Sequence, residues 1–150
     1  MTFKSKRDRT FIILIVLVSA LIALATLLPV VIELFIMEAP DMKAVWITSV
    51  IFLVCEGFIL WVSFDIVYTF KESSLIVRGG LFRSNIPFED ITKVNPTSNI
   101  LVGYRILSSK DALEIHYKKA TMGSVIISPE NQEVFLEVLL EKAPHIHIVK

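Results

Sequence analysis

The sequence predicts an α+β protein in which a two-helix transmembrane hairpin is followed by a small β-rich domain covered by one amphipathic helix. Three observations carry this. Residues 11–36 and 44–64 are long apolar runs, separated only by the short polar stretch 37–43. A hydrocarbon core about 30 Å thick needs roughly 20 apolar helical residues to cross it, and each run is long enough. After residue 64 the pattern changes to short β-branched and aromatic segments broken by Gly, Pro, Asn and Ser, which is the signature of strands and turns. Near the C-terminus Val134, Phe135, Val138 and Leu139 form a single apolar stripe at helical spacing.

Composition agrees with the membrane reading. Of 150 residues, 54% are hydrophobic and 20% charged, against about 25% charge in an average soluble domain. Net charge is zero and evenly divided, with five basic and six acidic residues in 1–65 and ten basic and nine acidic in 66–150. No basic domain is present, so nucleic acid is not an expected partner. Cys55 is the single cysteine. It can form neither an internal disulfide nor a metal cluster, and reads as a small buried hydrophobe. The first run has the parts of a signal peptide, including Ala23-Leu24-Ala25 as a mimic of a cleavage site. However, its apolar character continues about ten residues further and a second span follows, so a retained helix is expected.

Charge asymmetry orients the hairpin. Lys4, Lys6, Arg7 and Arg9 form a basic tail in residues 1–10, the loop 37–43 carries only Lys43 against Glu38 and Asp41, and Lys71 and Arg78 follow the second span. The positive-inside rule places this multi-pass protein in the cell membrane with both termini cytoplasmic and the loop outside. Trp46 and Trp61 lie about 22 Å apart along a helix, as an aromatic belt at the two interfaces requires. Glu33, one turn after Pro29, falls near the outer interface. Glu56 falls at mid-depth, where a carboxylate is costly and is a functional hypothesis by default. Pairing Ile36 with Ala44 brings Glu56 level with Leu24, close to Thr26, with Ser19 about a turn and a half away. Ser19 and Ala23 also form a small-xxx-small pair that permits close approach. Glu56 is therefore expected to face the first helix near Thr26, or a second copy of the chain, most simply as a structural hydrogen bond.

The domain, residues 65–150, follows as roughly six short antiparallel strands. Residues 65–70 leave the membrane as a strand, residues 71–74 turn, and residues 75–78 return. Gly79-Gly80 signals a hairpin, and residues 81–86 form the next strand, ended by Pro87. Phe88-Glu89-Asp90-Ile91 is one helical turn at most, and residues 92–97 are extended. Residues 99–110 read as a long loop or helical turn. Residues 112–117 alternate with Leu113, Ile115 and Tyr117 on one face. Met122-Gly123 turns the chain, and Val125-Ile126-Ile127 is a further strand. Ser128 is the expected cap of the last helix, with Pro129 at its first position, and the helix ends before Ala143-Pro144. A helix over one open end would cover a partly open barrel or bent sheet.

The segments Leu75-Ile76-Val77-Arg78-Gly79-Gly80-Leu81-Phe82 and Ile86-Pro87-Phe88-Glu89-Asp90-Ile91, then Val94-Asn95-Pro96-Thr97-Ser98-Asn99, Ile127-Ser128-Pro129 and Pro144, resemble the YyaB-like bacterial PH-like domain family across about residues 66–146. Phe88 stands where that family usually has tyrosine. The resemblance implies a PH-like split β-barrel capped by a C-terminal helix, commonly preceded by a membrane hairpin. It implies no enzyme activity and carries over no catalytic residue or ligand.

Candidate sites are correspondingly sparse. Arg78, Arg83 and Lys93, with Arg105, are the candidate headgroup contacts, since juxtamembrane basic groups attract an anionic leaflet. Glu89 and Asp90 are interspersed, so a solvated mixed face is the simpler reading. His145 and His147 are two apart without an adjacent acid or cysteine, and read as a surface tail rather than a metal pair. Ser108, Ser109 and Ser128 lack a nucleophile-elbow context, and no phosphate loop occurs. No catalytic residue, cofactor or metal is expected. The expected function is a non-catalytic interaction or assembly module on the lipid bilayer, with a protein partner or self-association. The alternative is a small transport or stress-response component working through oligomerised hairpins and Glu56.

Overall fold

The structure is a computed structural model and describes residues 1–98, 104–118 and 123–149. Helix α1 (Arg9–Phe35) and helix α2 (Met42–Phe64) form the hairpin. Each is long and apolar enough to cross a membrane, and neither has a buried residue. Both starts are capped by aspartate. Asp8 accepts the backbone N–H of Phe11 at 2.7 Å, and Asp41 accepts that of Lys43 at 2.9 Å, pairing N–H groups that a helix start leaves without partners. Along α2, Val45, Ser49, Phe52, Glu56, Ile59 and Ser63 are half-buried at alternating spacings of four and three, the seam expected of two packed antiparallel helices.

The register of that seam differs from the one expected. The rings of Phe11 and Phe64 meet edge to face with centroids 6.3 Å apart. At the loop end, Glu33 reaches over to accept the backbone N–H of Asp41 at 2.6 Å. Counting inward from Phe11 and Phe64 sets Glu56 level with Ser19, not with Leu24 and Thr26. The loop, residues 36–41, starts and ends earlier than expected because α1 ends at Phe35 and α2 begins at Met42, and Glu33 rather than Ile36 faces the start of α2.

The domain consists of two sheets that do not close on each other. The first is antiparallel, in the order β1 (Thr2–Lys4), β2 (Ile66–Phe70), β3 (Ser74–Gly79), β4 (Phe82–Pro87). A 3-10 turn, Phe88–Asp90, leads into the second sheet, ordered β6 (Tyr104–Ile106), β8 (Ser124–Ile127), β7 (Ala112–Tyr117), β5 (Ile91–Thr97), β9 (His147–Ile148). Helix α3 (Gln132–Lys142) buries Phe135 and Leu139. These pack into a core with Tyr68, Leu75, Val77, Ile86, Ile91, Val94, Leu113, Ile115, Val125 and Ile127. Phe135 is its hub, with ring centroids 4.9 Å from Phe70, 5.3 Å from Phe3 and 6.3 Å from Tyr68.

Several expectations are corrected here. The basic segment 1–10 is not a free tail: Thr2, Phe3 and Lys4 pair with Thr69, Tyr68 and Val67, and Phe3 enters the core. Its apolar, β-branched start adds a strand at the β2 edge, which residues 65–150 alone leave open. The sheets are not wholly antiparallel, since β5–β9 and β6–β8 are parallel pairs. Residues 104–106, read as loop, form β6, while residues 99–103 lie outside the described residues, as does Met122 of the expected turn. His147 belongs to a short strand beside β5 rather than a loose tail. Asn131, not Ser128, caps α3, accepting the backbone N–H of Val134 at 3.2 Å. Cys55 is exposed on α2, not buried.

Candidate functional site

The densest polar constellation lies where the feet of the hairpin meet the domain. Four hydroxyl side chains from separate segments converge there, each buried: Ser5 before α1, Tyr68 on β2, Ser108 after β6 and Ser128 after β8. Tyr68 Oη donates to the carbonyl of Ile106 at 2.7 Å, accepts the backbone N–H of Ser128 at 3.1 Å and lies 3.0 Å from Ser5 Oγ. Ser108 Oγ lies 2.7 Å from Ser5 Oγ and 2.8 Å from the Lys6 carbonyl. Ser128 Oγ accepts the backbone N–H of Ser108 at 3.0 Å. Burial pushes the Tyr68 phenol up from its ordinary pKa, while hydrogen bonds from Ser5 and Ser128 pull the other way, so the phenol stays a neutral donor.

A second ring of contacts ties down the helix ends. Asp8 caps α1 and also accepts the backbone N–H of Lys110 at 2.7 Å and the Ser109 hydroxyl at 3.3 Å. Partial burial raises its pKa, but the N–H groups of Lys110 and Phe11, the Ser109 hydroxyl and the Lys110 charge outweigh it, holding the carboxyl below its ordinary value. Arg7 donates to the Phe64 carbonyl at 3.1 Å with its guanidinium 4.8 Å from the centre of the Phe64 ring. It thus satisfies a terminal carbonyl of α2 and places a cation at that helix's negative end. Lys6 pairs with Asp111 at 2.7 Å, and Arg78 with Asp65 at 2.8 Å. Between the first turns of α1 and residues 105–110 an open cleft of about 280 Å³ is walled by Phe11, Leu14 and Leu107, with Arg105 and Lys110 also lining it.

The sequence-selected residues divide. Glu56 faces α1, with Oε2 buried and without a hydrogen-bond partner; Ser19 Oγ, at the same level, is buried and unpartnered too. Thr26 is not drawn into that contact. Its hydroxyl donates to the Ile22 carbonyl of its own helix at 2.6 Å, the local bond a helical threonine makes most readily. Arg78 and Arg83 face each other across β3 and β4, whereas Lys93 is on β5 of the other sheet, paired in register with His116 and His147. The three are therefore not one cluster. His145 Nε2 lies 3.1 Å from the Ile91 carbonyl and His116 Nε2 3.5 Å from Glu114 Oε2. Among the described residues no group of three His, Cys, Asp or Glu is placed to hold a metal. Sequence reasoning missed Ser5, Tyr68, Ser108 and Ser128 because no local pattern joins four hydroxyls so far apart in the chain. Asp8, three residues before Phe11 at the start of an apolar run, did carry a cap signal.

Comparison with known proteins extends this picture. A family model described as "Bacterial PH domain" matches residues 66–143. A protein of Bacillus subtilis (strain 168) named "Uncharacterized protein YyaB" is 31% identical over 148 residues, covering 99% of this chain and 97% of the relative. That likeness takes in the two apolar helices as well as the sheets. No solved structure gives a significant match.

Proposed function

This chain belongs to the bacterial PH domain family, and from that premise we propose that it is a non-catalytic interaction module held on the cytoplasmic face of the cell membrane by a spanning hairpin. The observation that carries this reading is the junction. Ser5, Asp8 and Arg7 bind the foot of α1 to Ser128, Lys110 and Phe64, so the domain has a set orientation above its anchor rather than swinging on a linker. A set orientation presents chosen edges to a partner. Among the described residues β4 pairs with β3 alone, and its Arg83 and Asn85 are exposed. An open edge strand of this kind accepts a strand from a protein partner or from a second copy.

The test is photo-crosslinking from position 85 in the full chain in its native membrane. A discrete crosslinked protein, or a crosslinked dimer, absent when the crosslinker sits at Glu72, supports the module. A uniform absence of adducts in cells in which the chain is needed removes it. A second reading, hairpins assembled around Glu56 for transport, is favoured by one observation, the unpartnered Glu56 Oε2 and Ser19 Oγ. Glu56→Gln separates the two: the module keeps its partners and its cellular role, and the transport component loses its role.

A further inference from the structure

We propose that the turn between β3 and β4 is a second membrane contact, with Leu81 and Phe82 inserted into the lipid interface beside the foot of α2. The proposal rests on the hairpin spanning a bilayer. Leu81 is 65% exposed and Phe82 59%. The other exposed large hydrophobics among the described residues of the domain, Met1, Leu140 and Val149, stand singly rather than as an adjacent pair. Two adjacent large apolar side chains in water call for a covering surface.

Position names that surface. The backbone N–H of Gly80 donates to the carbonyl of Asp65, the residue that ends α2, at 3.0 Å. Gly80 has φ +54°, and a Cβ placed on it would lie 2.9 Å from Val62 Cγ2 and 3.0 Å from Val62 Cα. The turn therefore rests directly on the last turn of α2, next to Trp61, and its following two residues are the apolar pair. An aromatic ring at that depth sits where tryptophan and tyrosine belts sit in membrane proteins. The charges agree. Arg83 lies directly opposite Arg78, an unfavourable like-charge pair. Asp65 neutralises Arg78, and among the described residues Arg83 has no ion pair. Anionic headgroups at this level supply the missing counter-charge. The turn 71–73, at the end of β2 away from α2, is the matched site on the far side of the sheet.

The experiment uses the full chain in nanodiscs of phosphatidylcholine and phosphatidylglycerol, with an environment-sensitive fluorophore on one cysteine at a time. Phe82→Cys, Leu81→Cys and Glu72→Cys are each made with Cys55→Ser, and the native Cys55 is labelled as the fourth probe. Circular dichroism checks that each variant folds. The expected result is blue-shifted emission at 81 and 82, quenching by spin-labelled lipids and little quenching by iodide, with the reverse at 72. Iodide quenching at 82 equal to that at 72 overturns the proposal. So does protection of 82 from both quenchers, which means that a second copy or another protein covers the turn. If Cys55 is quenched by deep spin labels and 82 by none, insertion fails while the anchor stands. If Cys55 is not quenched either, the anchor reading fails with it.

Discussion

Buried polar atoms in the junction and in the hairpin are treated in opposite ways. At the junction, Ser5, Tyr68, Ser108 and Ser128 partner one another and the backbone groups of Lys6, Ile106, Ser108 and Ser128. Within the hairpin, Glu56 Oε2 and Ser19 Oγ lie at one level and neither has a partner. The junction gathers loop and strand ends, whose backbone N–H and carbonyl groups are free to turn toward a side chain. In the hairpin, hydroxyls can still share a carbonyl of their own helix, as Thr26, Thr48 and Ser49 do with Ile22, Ala44 and Val45, but the helix N–H groups that a carboxylate would need are already paired. The contrast teaches that the polar ties of this molecule are concentrated where the hairpin meets the domain, while the hairpin keeps one buried acid oxygen without a partner.

Five experiments break or sharpen that contrast. Tyr68→Phe removes the hydroxyl that serves Ser5, Ile106 and Ser128, and should cost about 1–3 kcal/mol through the groups it strands. Denaturation of the full chain in detergent reads this, and a loss indistinguishable from zero would mean that the cluster does not hold the junction. Gly80→Ala forces a Cβ onto Val62 at a positive φ and should cost about 1–2 kcal/mol; wild-type stability in that variant would show that the turn lifts freely off α2. Asp8→Ala removes a helix cap and two ties to residues 109 and 110, for a loss of about 1 kcal/mol.

The same residue sets a pH dependence. The Asp8 pKa is lower in the folded chain than in the unfolded one, so its stabilisation is complete above the ordinary aspartate range, about 4. It is lost as pH falls through the lower folded value, because the unfolded state then binds the proton first. Acid titration of wild type against Asp8→Ala should converge at low pH. The smallest effect has the opposite sign. Glu56→Leu should raise hairpin stability by about 0.6 kcal/mol, the scale of a polar contact between membrane helices. A fall instead would reveal a partner for Glu56 that a single chain lacks.

Much of the fold was legible because its signals are local. Two apolar runs of spanning length needed no tertiary information, nor did the Gly79-Gly80 hairpin, the alternation at Leu113, Ile115 and Tyr117, or the Phe135 and Leu139 stripe. Errors arose where a local rule met a distant competitor. Ser128 has the chemistry of a helix cap, but Tyr68 and Ser108 engage it, and Asn131 caps α3 instead. Residues 2–4 looked like a tail because the strand they pair with lies more than sixty residues away. The candidate headgroup contacts suffered similarly, with Lys93 separated from Arg78 and Arg83 by a change of sheet.

By itself the sequence determined the division into a hairpin and a β-rich domain, the family and the order of most elements, since each follows from periodicity or a short contiguous motif. Only the tertiary structure decided the hairpin register, the capture of the N-terminal strand, the hydroxyl cluster and the contact of the Gly80 turn with Val62. Those depend on which distant segments meet, and the pairing of distant segments is set by the packing of the whole core rather than by any stretch of it.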